Sequence, residues 1–378
     1  MTTTTLDKPV ERYLAAFETF ERQRRGRDAF LAPIRKAAVA RLAGLGFPTT
    51  RHEDWRFTNI APLTRMQFAP ANPGTQGVRV RDLTPYLFGD AGILRLVFVN
   101  GRFAAELSEL HDVPAGLAVG SLAEALEKSP QVLEPHLARY VTYQDSVFAA
   151  LNTAFLEDGA YVHVPRGRIV ERPIHLLFVS TAAEQPTVSH PRNLIVAEEG
   201  SQVTLVESYV GLGQTTRGTA APGCAYFTNP VTELIAGAGA VVDHCKVQRE
   251  LESAFHFATL RVHTLRSATL ASHSIALGGA LVRNDVHAVL EGEGCDVDLN
   301  GLFVTAGSQH VDNFLRVEHV GVNCNSREFY KGILDGRSHG VFTGRIKVHK
   351  GAQKTDAKQT NRNLLLSAEA QVDTKPQL

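Results

Sequence analysis

The chain has 378 residues, long enough to bury a large core and, by length alone, to hold two or three domains. Its 39 Lys and Arg balance 39 Asp and Glu, so no net field draws nucleic acid or an anionic membrane surface. No apolar run approaches the roughly eighteen residues of a spanning helix, the Thr-rich start lacks the apolar stretch of a signal peptide, and none follows the Arg24-Arg25 pair. A cytoplasmic protein with no nucleic-acid or membrane partner is the expectation.

The first ninety residues read as helix. Val10, Tyr13, Leu14, Phe17 and Phe20 recur at helical spacing. A second helix starts near Pro33, carries Ile34, Ala37, Ala38, Arg41 and Leu42 as one stripe, and stops at Gly44, Gly46 and Pro48. The Pro- and Gly-rich stretch from Ala69 to Gly77 reads as a linker. From Gly92 the pattern becomes strand, Asn100-Gly101 turn, strand, because that dipeptide supplies the positive φ angles of a tight hairpin. Two short helices follow: Ser121 and Glu124 form a capping box before the first, and Asp145 is placed to cap the second. No further helix is expected beyond Val164.

Some two hundred residues of short alternating segments then follow, each opened by a turn of Gly, Ala, Ser or acidic residues. Aligning Val203, Val241, Thr269, Val297, Val341 and Val372 gives intervals of 38, 28, 28, 44 and 31 residues. These are too long for hairpins and too uneven for a propeller; strands recurring without crossover helices suit a parallel β-helix, with an antiparallel sandwich as the alternative. The fold class is therefore mainly β, with residues 1–90 an N-terminal helical domain, 91–165 a mixed connecting region and 166–378 the β-helix core. The last coil of such a solenoid presents unpaired backbone. Since the final residues stop in mid-strand, either the natural chain is longer or a partner completes the sheet.

Chemical motifs are sparse. Gly336, Arg337, Ser338, His339 and Gly340 spell the G-x-S-x-G of a serine hydrolase, but that motif requires a strand turning into a helix. Here Phe342, Gly344, Ile346 and Val348 alternate with Thr343, Arg345, Lys347 and His349, which is a strand, so no catalytic residue is assigned. There is no Walker A motif and no G-x-G-x-x-G in a strand-to-helix setting. Cys224, Cys245, Cys295 and Cys324 are scattered with no C-x-x-C, and the 15 His include no H-x-H or H-x-x-x-H. The cysteines read as small buried residues, histidines 256, 263, 273 and 287 as isolated ones, and no metal site is assigned. A polar cluster runs from Arg345 through Lys347, His349 and Lys358 to Asn363, either a solvated face or a surface for a partner.

Three blocks carry a resemblance. The stretch from Phe329 to Leu378, the segment Pro48–Thr58 containing "RHEDWRFT", and the segment Phe148–Gly167 together resemble the SufD branch of the SufB/SufD family, from the SUF iron–sulfur cluster assembly machinery. The resemblance implies a helical N-terminal domain, a right-handed parallel β-helix and a further helical domain that this chain lacks. It implies a non-catalytic scaffold that pairs with SufB through the β-helix, works with the ATPase SufC, and can pair with itself through the β-helix edge when alone. Arg345, Lys347 and His349 are then expected near the SufB interface. Cysteines proposed to hold sulfur or iron in SufB match Asn361 and Ala370 here, and no cysteine follows Cys324. Without a thiolate this segment cannot supply a soft cluster ligand, so the chain is expected to bind no cofactor firmly, and a cluster only at the interface with SufB. The competing reading, a carbohydrate-active β-helix lyase, fits a chain with one Trp and few grouped acids poorly.

Overall fold

The computed structural model describes residues 8–24, 29–89, 92–181, 183–213 and 225–378; Arg25 and Cys224 lie outside them. Helices α1 (Lys8–Gln23) and α2 (Leu31–Leu45) open the chain. The buried face of α2 is Leu31, Arg35, Ala38 and Leu42, one step from the expected stripe, because Arg35 turns inward and donates from Nε to the Leu156 carbonyl at 2.9 Å. Ala69–Pro70, expected in a linker, is instead a short strand paired with Thr187–Val188. The Asn100-Gly101 turn is present, with φ of 52° and 78°. Helix α3 (Leu122–Lys128) is capped by Ser121 Oγ, as expected. Helix α4 (Val147–Ala154) is capped by Ser146, which accepts from the Ala149 amide, and not by Asp145.

The strands are β1 (Leu94–Val99), β2 (Ala160–Val164), β3 (Ile174–Thr181), β4 (Arg192–Ala197), β5 (Gln202–Leu212) and β6 (Val231–Ala236). They continue as β7 (Val241–Arg249), β8 (Phe255–Thr264), β9 (Thr269–Ala276), β10 (Leu281–Leu290) and β11 (Asp296–Thr305). The last are β12 (His310–His319), β13 (Asn325–Leu334), β14 (His339–Val348), β15 (Asp356–Leu365) and β16 (Gln371–Gln377). Odd-numbered strands form one sheet and even-numbered strands the other, each pairing in parallel with the strand one full turn away. This is a parallel β-solenoid of about seven turns, and the sandwich alternative falls. Among the described residues no helix follows Val164, and none anywhere is long and apolar enough to cross a membrane.

Period-two alternation explains why the chain winds. On β12, Val311, Asn313, Leu315, Val317 and His319 face inward while Asp312, Phe314, Arg316 and Glu318 face outward. Corners are turned at glycines such as Gly336, whose φ of 65° favours Gly and where a Cβ would sit 2.9 Å from the nitrogen of Gly307 in the turn below. The first glycine of G-x-S-x-G is therefore a corner residue. Ser338 is fully buried, its Oγ accepting from Thr305 Oγ1 at 2.9 Å, and a strand follows it.

The register also explains the uneven intervals. Val241 pairs with Thr269 and Asp296 with Asn325, turns of 28 and 29 residues, while other turns run from 26 (Phe255 to Leu281) to 39 (Gln202 to Val241). Val341 lies on β14, in the sheet opposite Val297 on β11. The interval of 44 is one turn plus a change of sheet, because both corners use the same turn chemistry.

The solenoid interior is apolar at its floor but polar along one seam, where Glu207, His244, Lys246, Asn284 and Glu328 are all buried. Lys246 donates to Asn284 Oδ1 at 2.6 Å, and burial lowers its pKa to about 8. Burial raises Glu328 to about 7, against the hydrogen bond it receives from Gln359. A cavity of about 30 Å³ beside Glu207, His244 and Lys246 has room for ordered water.

Candidate interface on the last coils

Arg345, Lys347 and His349 lie at and just beyond the outward side of β14, but the structure does not keep them together. Lys347 Nζ and His349 Nε2 converge on Glu318 Oε2, at 3.5 and 2.7 Å, while His287 Nε2 reaches Glu318 Oε1 at 3.0 Å. Burial would raise the Glu318 carboxyl, but the hydrogen bonds from His349 and His287 and the charge of Lys347 outweigh it and hold the pKa low. His287 is pushed down to about 4, first by burial and then by Arg261 and Arg316. Histidines 256, 263 and 287 each meet a glutamate, Glu250, Glu291 and Glu318 respectively, so they are not isolated.

Arg345 goes elsewhere. Its guanidinium pairs with Asp54, and Glu53 accepts Lys375 Nζ at 2.5 Å, so the segment His52–Thr58 straps the solenoid's last turns. Trp55 lies 4.0 Å beneath the Arg283 guanidinium and stacks on Phe257 at 6.2 Å and 15°. Thr58 Oγ1 donates to Asp312 Oδ2 at 2.6 Å, and Arg283 pairs with the same carboxylate. The strap was missed in the sequence because its polar partners, such as Arg283 and Asp312, lie more than 220 residues away. Trp55→Ala is expected to lower the unfolding free energy by about 3 kcal/mol, since it removes an aromatic packed on three sides. Asp54→Ala, removing a partly exposed ion pair, costs less than about 1 kcal/mol. Urea titrations of the two variants check this ordering.

Strands β15 and β16 are outermost in their sheets, each paired on one side only. Beside them the outward face of the odd sheet carries Val304, Ile333 and Leu364 in register, with Leu302 and Phe329 adjacent. Leu364 is 56% and Phe329 38% exposed. An exposed apolar stripe of this kind has the composition of a docking surface.

Comparison with known proteins bears on what docks. The family described as "SUF system FeS cluster assembly, SufBD core domain" matches residues 178–378, and "SufBD protein N-terminal region" matches residues 8–176. The chain belongs to the SufBD family. Similar members include the iron–sulfur cluster assembly SufBD family protein slr0076 of Synechocystis, 32% identical over 93% of this chain and 77% of that protein. The iron–sulfur cluster assembly protein SufD of Escherichia coli is 30% identical over 92% of this chain and 77% of its own length. SufD of Bacillus subtilis is 24% identical over 97% and 81%. Membership of the SufBD family gives the chain a role in iron–sulfur cluster assembly.

Cys295 and Cys324 are buried at successive corners, and both donate to the Gly292 carbonyl, at 3.2 and 3.1 Å. Burial raises the pKa of Cys324 and of Cys245, which favours thiol over thiolate. Among the described residues, no group of three or more His, Cys, Asp or Glu side chains is arranged to hold a metal ion. Asn361 and Ala370 lie on and beside the outermost strands, where Asn361 donates to the Tyr330 carbonyl.

Proposed function

We propose that this chain is a non-catalytic scaffold subunit of cluster assembly, pairing through its last coils with a SufB-type subunit and working alongside a SufC-type ATPase in the cytoplasm. Family membership supports the setting, and the observation that carries the pairing is the exposed apolar stripe of Leu302, Val304, Phe329 and Leu364 on the outward face of the odd sheet. The apolar stripe supplies affinity in such a contact, and Lys347 and His349 supply specificity. Arg345 acts indirectly, by holding Asp54 so that the strap keeps the last turns rigid. The cluster is cargo on this reading. Its soft ligands come from the partner, and nucleotide turnover belongs to the ATPase, which suits a sequence without a Walker A motif.

The test mixes the purified chain with SufB-type and SufC-type proteins of the same source and follows association by sedimentation. A stable complex is expected with the native chain. Lys347→Ala with His349→Ala weakens SufB pairing about tenfold, and adding Leu364→Asp weakens it at least about a hundredfold. Unchanged pairing of the triple variant would remove this surface from the proposal.

A further inference from the structure

Away from the last coils, a cavity of about 560 Å³ opens between α1, residues 63–73, the Asn100–Arg102 turn and residues 188–190. Its size is that of a small-molecule site, and its walls are unlike a packing defect. Tyr13, Phe20, Phe47, Phe68 and Phe155 line it, offering π faces from separate segments. Water gains little against the ring faces themselves, so a flat apolar body gains by covering them.

One polar group is held ready among these rings. His190 lies against Phe155, centroids 5.4 Å apart and 21° from parallel, and meets Phe227 edge-on at 6.3 Å. Asn229 Nδ2, which also donates to the Phe148 carbonyl, lies 3.1 Å from His190 Nδ1. An amide nitrogen only donates, so Nδ1 accepts and the imidazole proton sits on Nε2. Burial lowers the pKa of His190 to about 3, so the ring stays neutral. Nε2–H is thus a fixed donor on a residue that lines the cavity. At the rim Glu157 takes the guanidiniums of both Arg24 and Arg102, Arg12 donates to the Met66 and Thr64 carbonyls, and Asp158 accepts from Ser121 Oγ and three backbone amides.

We propose that this cavity binds an uncharged aromatic small molecule that carries a carbonyl or ring-nitrogen acceptor, stacking on the aromatic walls and accepting from His190 Nε2. The site is independent of the docking surface and of the assembly partners.

The probe is Prodan, a neutral naphthalene bearing a propionyl carbonyl, whose emission moves to the blue in apolar surroundings. The native chain is expected to bind one equivalent with saturable, blue-shifted emission. Ala16→Trp and Ala71→Trp, which fill the cavity mouth from two different segments, each weaken Prodan at least about tenfold while leaving circular dichroism and urea midpoint in place. His190→Phe keeps a stacked ring but loses the donor, weakening Prodan about fivefold while leaving N-phenyl-naphthylamine, which has no carbonyl, unchanged. Hydrogen exchange on the unsubstituted chain gives the same answer without a variant: Prodan slows exchange in α1 and residues 63–73. Absence of saturable binding, undiminished Prodan binding in both tryptophan variants, or protection confined to other segments would each overturn the site. Equal losses for both probes in His190→Phe would overturn the role given to the imidazole.

Discussion

Glu233→Gln is expected to lower the unfolding free energy by about 3–5 kcal/mol, the largest effect of any single exchange of similar shape in this chain. Glu233 and Arg192 form an ion pair at 2.7 Å with both side chains 0% exposed. The carboxylate also accepts from the backbone amides of Ala138, Tyr140 and Val141, at 2.8, 2.9 and 3.1 Å. Arg192 in turn donates to Asn152 Oδ1 and Thr153 Oγ1 on α4. One buried carboxylate thus ties the connecting region, α4 and two adjacent solenoid strands together. An amide keeps the shape but leaves the Arg192 charge without its counterion and turns a donor toward three other donors. Replacing both partners by apolar residues recovers only part of the loss, because the three backbone amides remain unsatisfied. Urea unfolding at neutral pH measures this; a Glu233→Gln variant within 1 kcal/mol of the native chain would show that the amides and Arg192 find other partners.

That hub illustrates where reading the sequence stops. Glu233 sits in "VTELIA" and Arg192 in "HPRNLIVA", both next to apolar runs, and their 41-residue separation carries no local signal. Alternation is local, so the strands, the Asn100-Gly101 turn and the Ser121 cap were legible, as was a solenoid in preference to a sandwich. The sheet to which each strand belongs was not, because Val297 and Val341 open on similar turns at opposite corners. Period two says which side chains face inward but not whether they meet a partner, so the burial of Lys246 and Glu328 carries no local signal. Arg345 sits correctly on an outward face, yet its partner Asp54 lies almost three hundred residues earlier. The fold therefore followed from short-range pattern, whereas the strap, the polar seam and the aromatic cavity depend on contacts between distant segments.

The buried imidazoles give the second large effect, a steep loss of stability in mild acid. Burial, the largest influence on each, takes His175, His287 and His310 down to about 4 and His190 to about 3. Arg95 and Arg249 reinforce it at His175, while at His310 the Asp312 carboxylate partly opposes it. Each ring stays neutral in the native state until its lowered pKa is reached, whereas in the unfolded chain it takes up a proton near pH 6.5. Across that window the unfolded state binds more protons, so stability is complete above about pH 6.5 and falls as the pH drops toward 4. Glu328 acts in the opposite sense: raised to about 7, it keeps a proton that the unfolded chain releases above about 4.5, so its contribution is complete in acid and is lost as pH rises through 7. Four histidines against one glutamate leave about three protons, or about 4 kcal/mol per pH unit between pH 5 and 6. Urea midpoints should therefore fall sharply from pH 6.5 to 5, and Glu328→Gln, which keeps its partner Gln359 within hydrogen-bonding reach, should steepen the fall by about 1.4 kcal/mol per pH unit. A flat profile, or a shallower one in the Glu328→Gln variant, would mean that the solenoid admits water to these groups before it unfolds.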